Sequence, residues 1–167
     1  MNKSTLALLL SLLAISTIGV YQYQSNVDST LDNYEFTEEE QYLLTWASGQ
    51  QVSNEITKIA GPSSKGQCAK YVREAIQRAN GAPVQPTGIV SAKDYGPFVK
   101  QYGYKTTSRS HEQAVTGDVA ILAGQPAHPH GHIAIKCSDG KWRSDFVQNS
   151  FWIYKDGSRP SYTIYTL

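Results

Sequence analysis

Two short segments, Gly66-Gln67-Cys68 and Gly131-His132-Ile133, constrain this chain most. The first places a cysteine where a helix is expected to begin, and the second places a histidine where a buried strand is expected to begin. A thiol needs a base to become a nucleophile near neutral pH, and imidazole is the side chain best suited to take that proton. A fold that brings these two tips together would assemble a cysteine nucleophile, so the pattern favours that chemistry.

The N-terminal stretch has the composition of an export segment. A short positive start at Met1-Asn2-Lys3 precedes an uncharged, leucine-rich run over residues 5–20. Residues 1–23 are therefore predicted to be a secretory signal peptide or an uncleaved membrane anchor. Either interpretation sends the rest of the chain across a membrane, to the periplasm or the extracellular cell envelope, and the second would tether it to the inner membrane.

One folded domain is expected after this segment. The chain has 167 residues and 40% hydrophobic content, which supports one modest core. Residues 24–35 are predicted to be a polar linker and residues 36–167 the domain. The 15 basic and 14 acidic residues nearly balance and form no basic cluster, so nucleic-acid binding is not expected.

The order of the predicted elements indicates an α+β fold. A capping box over residues 37–40 predicts a first helical run, which Ser48-Gly49 interrupts. Cys68 opens a further helix, and a shorter one is predicted over residues 91–101; the helix N-terminus is expected to favour the Cys68 thiolate. Four strands follow, over residues 119–122, 132–137, 142–147 and 161–165. N-terminal helices should therefore pack on a small antiparallel sheet.

The second cysteine is predicted to be structural. Cys137 ends the strand that begins at His132, and strand alternation places the two side chains on opposite faces. If His132 faces Cys68, then Cys137 does not. We therefore expect Cys137 to be a small buried apolar side chain rather than half of a disulfide.

A third motif, Gly117-Asp118-Val119-Ala120-Ile121, lies between the cysteine and the histidine. The three motifs in this order resemble the CHAP family of cysteine, histidine-dependent amidohydrolases and peptidases, which are relatives of the NlpC-type cell-wall peptidases. The resemblance covers roughly residues 60–150. It implies a papain-like α+β fold without a cofactor. It also implies cleavage of an amide bond in peptidoglycan, either the muramoyl-L-alanine link or a bond of the stem or cross-bridge peptide.

The same resemblance implies roles for individual residues. Cys68 corresponds to the nucleophile and His132 to the base that takes its proton. A third polar residue on the next strand should orient the imidazole, and we predict Asp145, with Gln148 and Asn149 as alternatives, because strand register cannot be read from sequence.

Two residues are predicted on the substrate side of the site. Gln67 is expected to donate to the oxyanion beside the backbone N–H of Cys68. Trp152 is expected to wall the substrate groove. Asp118, in contrast, is interpreted as a structural turn residue at the entry to its strand.

Other functions remain open at this stage. His128, His130 and His132 stand at every second position, which on an extended chain would give a zinc triad and a metallohydrolase. A catalytically silent relative would instead bind wall fragments or a protein, and a thiol acyltransferase would use the same pair. An inhibitor or immunity protein is a further expected partner. Some interbacterial amidase toxins look similar, but they reach the wall by injection, so a separate export segment argues against that class.

Overall fold

The computed structural model describes residues 46–167. The predicted export segment, the linker and the capping box over residues 37–40 lie outside the described residues. Within residues 46–167, no helix is long and apolar enough to span a membrane.

Three helices and a five-stranded sheet make up the described part of the chain. Helix α1 is Gly49–Ile59, α2 is Cys68–Ala79 and α3 is Gly96–Lys100, preceded by a 3-10 turn over Ala92–Asp94. The strands are β1 Lys105–Thr107, β2 Val119–Leu122, β3 His132–Lys136, β4 Trp142–Arg143 and β5 Tyr162–Thr166. They are ordered β1-β5-β2-β3-β4, and every neighbouring pair is antiparallel. The predicted α+β class, with helices followed by a small antiparallel sheet, is confirmed.

Helix α1 begins where the sequence predicts a break. Ser48 caps it: its hydroxyl accepts from the N–H of Gln51 at 3.3 Å, and the Gln51 side chain accepts from the N–H of Ser48 at 2.8 Å. This capping box stabilises the first turn of a new helix. The break at Ser48-Gly49 is thus a helix start.

Helix α2 carries the predicted cysteine in its first turn. Its buried stripe consists of Val72, Ala75 and Ile76, which pack on the sheet. The helix ends at Ala79 and is capped by Asn80, whose side-chain amide donates to the carbonyl of Ile76 at 2.8 Å. The helix therefore fixes Cys68 at one edge of the core.

The two central strands are buried on both faces. Toward the helices, the core contains side chains of β2, β3, α1 and α2: Val119, Ile121, Ile133, Ile135, Val52, Ile56, Val72 and Ile76. On the opposite face a second cluster packs Ala120, Leu122, Ala134, Trp142, Phe151 and Ile164. Cys137 belongs to the first cluster with only 2% of its surface exposed, and both cysteines are free. The prediction that Cys137 is a buried apolar side chain is confirmed.

The strand predicted over residues 142–147 is shorter than expected. Strand β4 ends at Arg143, after which the chain turns, and the N–H of Gln148 donates to the carbonyl of Trp142 at 2.9 Å. Phe146 then forms a parallel bridge with Gly61, just before the loop that leads to Cys68. This turn decides which side chains of the segment reach the histidine.

Candidate active site

Cys68 and His132 line one cleft. Its volume is about 1120 Å³, and it lies where α2 and β3 begin. Gln67, Asp145 and Tyr154 are also among its lining residues. The structure therefore brings the two predicted tips together, as the sequence motifs require.

Gly131 is needed to deliver His132 into the sheet. Its φ is +65°, a conformation that side chains rarely adopt, and an added Cβ would lie 2.3 Å from the carbonyl oxygen of Leu122. Leu122 is also the antiparallel partner of His132 in β2. The glycine thus allows the backbone to turn tightly, so that the imidazole enters a buried position at the end of the strand.

The Cys68 thiol is partly buried beside backbone donors. Burial raises its pKa, while the N–H groups of Ile133, Ala69 and Cys68 itself act in the opposite direction; the net pKa is above the ordinary value. This corrects the expectation that the helix N-terminus leaves Cys68 as a thiolate. The removal of water around the sulfur outweighs these dipoles, so the resting group is the protonated thiol.

His132 is a buried and neutral imidazole. Only 4% of its surface is exposed, and burial lowers its pKa to about 4, against the weaker opposing influence of the Asp145 charge. A neutral ring has a free lone pair near neutral pH. The site therefore holds a thiol and a neutral imidazole in one cleft.

Gln148 is the side chain that contacts the imidazole. Its side-chain amide lies within hydrogen-bond distance of the ring, 2.7 Å from Nε2 of His132, and its nitrogen lies 3.4 Å from the hydroxyl of Ser144. Gln148 is itself buried. The sequence names it as an alternative orienting residue, and the turn after β4 gives it this position.

Asp145 anchors the loop that precedes Cys68. One carboxylate oxygen accepts from the N–H groups of Lys65 and Gln67, at 2.5 and 3.1 Å, and the other accepts from the Ser144 hydroxyl at 3.0 Å. Burial of the carboxylate raises its pKa, but the hydrogen bonds from Gln67, Lys65 and Ser144 together outweigh it and leave the pKa below its usual value. The hydrogen bonds of Asp145 therefore hold the loop before Cys68 and the Ser144 hydroxyl, whereas the predicted role was to orient the imidazole. Asp145 influences His132 through its charge.

The two predicted substrate-side residues differ in their position. Gln67 is exposed at the cleft, one residue before α2. Trp152 packs against His111, Phe151 and Tyr162 with ring centroids 4.8 to 5.7 Å apart. Trp152 belongs to this aromatic cluster and is not among the residues that line the cleft, so the geometry gives no support to its predicted place in the substrate groove.

Tyr154 lines the cleft instead, and periodicity in the sequence does not single it out. Its ring stacks on His128 with centroids 4.1 Å apart, and its buried hydroxyl has no hydrogen-bond partner within residues 46–167. Burial raises the pKa of this phenol, and the nearby Cys68 and Asp156 add to the effect. The ring of Tyr154 thus lines the cleft, while its hydroxyl is buried without a partner among the described residues.

The three alternating histidines do not converge. His128 stacks on Tyr154, His130 hydrogen-bonds through Nδ1 to the Ser91 hydroxyl at 2.8 Å, and His132 contacts Gln148. In the part of the chain that the structure describes, no group of three His, Cys, Asp or Glu side chains is arranged to hold a metal ion. The predicted zinc triad therefore lacks a common centre.

Asp118 has the structural role that its motif suggests. Its buried carboxylate accepts from the N–H of Val115 at 2.9 Å and pairs with Arg109 at 3.3 Å. These contacts fix the turn into β2. Asp118 is therefore a scaffold residue and is not among the residues that line the cleft.

Neither a protein-family model nor a curated protein matches the chain. Among solved structures, it is similar to the type VI native effector-immunity complex Tae3-Tai3 from Ralstonia pickettii, with 38% identity and a TM-score of 0.59 over 71% of this chain and 97% of that chain. The chain belongs to the Tae3 family of type VI effectors. The SeMet form of the same complex also matches, with 38% identity and a TM-score of 0.57 over 69% of this chain and 98% of that one.

Membership of the Tae3 family revises one expectation. The predicted export segment argued against the effector class, whereas the related protein is described as a type VI effector. The resemblance to the CHAP and NlpC-type families stays a prediction, because the similarity that is found is to Tae3.

Proposed function

We propose that the protein is a cysteine amidohydrolase that cleaves an amide bond of peptidoglycan. The observation that carries the proposal is the joint placement of a thiol and a neutral, buried imidazole at one cleft, Cys68 at the start of α2 and His132 at the start of β3. The choice of peptidoglycan as the substrate rests on the resemblance of the three sequence motifs to the CHAP and NlpC-type cell-wall enzymes. The scissile bond is the muramoyl-L-alanine link or an amide of the stem or cross-bridge peptide.

The proposed reaction begins with the protonated thiol. As the Cys68 sulfur forms a bond to the amide carbonyl carbon, its proton passes to His132. The carbon–nitrogen bond then breaks, and the amine departs with that proton. Water, deprotonated by His132, attacks the resulting thioester, which releases a carboxylate and restores the thiol.

The role proposed for Gln148 is to fix the tautomer of His132. Because Nε2 contacts Gln148, Nδ1 is the ring nitrogen left to accept the thiol proton. Nδ1 can accept the thiol proton when Nε2 carries the ring proton and donates to the amide oxygen of Gln148. A 180° turn of the amide gives this arrangement, and it pairs the oxygen that is otherwise buried without a partner.

Asp145 and Tyr154 complete the proposed site. Asp145 holds the backbone of residues 65–67, so that the N–H of Cys68 and the side chain of Gln67 face the oxyanion. Tyr154 takes the substrate-side role that the sequence assigns to Trp152, and its hydroxyl would act as a donor once a substrate displaces the groups that cover it. No cofactor enters this sequence of steps.

The proposal also names a place of action and a partner. The related effector is solved in a complex with the immunity protein Tai3. We infer that an immunity protein likewise binds this chain, and that its substrate is met in the periplasm. Inner-membrane anchoring through residues 1–23 stays a prediction. Sequencing the N-terminus of the mature protein would show whether these residues are retained, as an anchor requires, or removed.

Digestion of intact peptidoglycan tests the proposed function. The purified protein, Cys68→Ala and the matched control Cys137→Ala are each incubated with peptidoglycan, and released fragments are identified by mass spectrometry. New fragments from the unaltered protein and from Cys137→Ala, with none from Cys68→Ala, support the hydrolase, and their masses name the bond. No release by any of the three proteins would leave a binding module, and release by Cys68→Ala would remove the cysteine mechanism.

A further inference from the structure

Arg73 is a cation of the cleft that has no close partner among residues 46–167. It lies in α2, lines the same cleft as Cys68, and 13% of its side chain is exposed. Its Nε is buried without a hydrogen-bond partner within residues 46–167. The Glu74 carboxylate is 3.9 Å away, beyond hydrogen-bond distance, and also faces Arg78 at 3.7 Å. The guanidinium therefore keeps donors free at a site where water is largely removed.

The cleft also contains more cations than carboxylates that are available to pair with them. Lys70 and Lys155 also line it and are exposed. Its two carboxylates are occupied by contacts within the protein, Asp145 with the backbone before α2, and Asp156 with Ser158 and, at 3.7 Å, with His128. The three cations thus outnumber the acidic groups available to them, and a ligand that carries carboxylates would complete the balance.

From these contacts we propose that Arg73, assisted by Lys70, is a carboxylate-binding subsite for an anionic peptide substrate. The proposal rests on the proposed function and names its substrate class. A planar guanidinium matches a carboxylate with two parallel hydrogen bonds, which makes arginine suited to this recognition.

The helix sets the distance of this subsite from the reaction. Arg73 follows Cys68 by five positions, which is about 7.5 Å along the axis at about 1.5 Å per residue. An extended peptide advances about 3.3 Å per residue. The recognised carboxylate is therefore expected about two residues from the scissile amide, on a part of the peptide that does not react.

A binding experiment tests the subsite without relying on turnover. Soluble muropeptides are used in two forms, native and with their carboxylates converted to primary amides by carbodiimide coupling. Their affinity for Cys68→Ala is measured by titration calorimetry. We expect the native form to bind about 10-fold tighter or more, which corresponds to the loss of a charge-assisted hydrogen-bonded pair on amidation.

Variants of α2 assign the effect to Arg73. In the Cys68→Ala background, Arg73→Gln should remove the preference for the native form, and Arg73→Lys should restore part of it. Arg78→Gln is the matched control, since it lies on the same helix and faces the same Glu74 but does not line the cleft; it should keep the full preference. Circular dichroism confirms that each variant is folded.

The outcomes separate this inference from the proposed function. Equal binding of the native and amidated forms, no binding of either at millimolar concentration, or a preference that persists in folded Arg73→Gln would each overturn the subsite. Amidation alters only the ligand, so it tests the subsite even if Arg73→Gln does not fold. Carboxylate-dependent binding without release from peptidoglycan would sustain the subsite and defeat the hydrolase. Equal cleavage of the native and the amidated forms would sustain the hydrolase and defeat the subsite.

Discussion

The imidazole of His132 is hydrogen-bonded to the side-chain amide of Gln148, with Nε2 of the ring and the amide nitrogen 2.7 Å apart. Both side chains are buried, so this contact fixes the ring without help from solvent. The contact uses Nε2, so Nδ1 is the ring nitrogen that is left for the proposed proton transfer from the thiol. The residue that orients the proposed base is thus carried by the turn after β4, whose geometry depends on the tertiary fold.

Replacement of Gln148 should slow the reaction more than it weakens binding. We expect Gln148→Ala to lower kcat by about 10- to 100-fold with a small change in KM, since a freed ring samples unproductive orientations. Gln148→Glu should keep the orientation and move the acid limb of the pH profile upward, because a carboxylate favours the charged imidazole. Steady-state kinetics on muropeptides from pH 4 to 8 measures both. Asn149→Ala, the neighbouring exposed alternative, should remain within about twofold, and an equal loss there would contradict the assignment.

Acid should destabilise the fold through His132. Burial holds its pKa near 4 in the folded protein, below about 6.5 in the unfolded chain, so between these values the unfolded state binds more protons. The contribution of the neutral ring to the free energy of unfolding is complete above about pH 6.5 and declines as the pH falls toward 4. The free energy of unfolding should drop by about 2 to 3 kcal/mol at pH 4.5 from this group.

Urea unfolding at pH 7.0, 5.5 and 4.5 measures this decline. His132→Gln, which does not titrate in this range, is the reference for the contribution of all other groups. The difference in unfolding free energy between the unaltered protein and His132→Gln should narrow as the pH falls. A difference that stays constant with pH would show that the imidazole is not held neutral by burial.

The Cys68 thiol should react as a thiol rather than as a preformed thiolate. Since its pKa is raised, the rate of alkylation by iodoacetamide should be low at pH 7 and should still be rising at pH 9. Mass spectrometry of the two cysteine-containing peptides follows the reaction, with buried Cys137 as the internal control that stays unmodified in the folded protein. A rate that is already at its plateau at pH 7 would instead indicate a stabilised thiolate.

Loss of the Asp145 charge should loosen the loop before Cys68. Asp145→Asn weakens the hydrogen bonds from the N–H groups of Lys65 and Gln67, and we expect a loss of about 1.5 to 3 kcal/mol in unfolding free energy. Hydrogen exchange should quicken at those two amides. Asp139→Asn, which removes a half-exposed carboxylate paired with Arg143, should leave both exchange rates unchanged. Unaltered exchange in Asp145→Asn would show that the carboxylate does not organise the loop.

Removal of the Tyr154 hydroxyl should separate activity from stability. Tyr154→Phe keeps the ring that stacks on His128 and deletes a buried hydroxyl without a partner, so stability should be unchanged or higher by up to about 1 kcal/mol. If the hydroxyl donates to the substrate, kcat/KM should fall by about 10-fold. Thermal unfolding and muropeptide kinetics measure the two effects. Unchanged kcat/KM would remove Tyr154 from the site.

Local patterns in the sequence were enough to predict the class of the fold and the two ends of the site. Cys68 follows Gly66-Gln67 and opens the apolar stripe of α2, while His132 follows Gly131 and opens a run of apolar residues; both signals depend only on nearby residues. The antiparallel sheet followed likewise from short runs and turns. These features are local because helix periodicity, capping and glycine conformations are set within a few residues.

Tertiary structure decided what surrounds those two ends. Whether Asp145 or Gln148 reaches His132 depends on where β4 ends and how the chain turns, and a single residue of register reverses the answer. The pKa values of Cys68 and His132 depend on burial by both sheet and helices, which no local pattern encodes. That Arg73 has no close partner in the described part of the chain depends on how its neighbours pack. The sequence by itself thus determined which groups are proposed to carry the chemistry, and the packing of distant segments decided their protonation, their partners and the charge of their cleft.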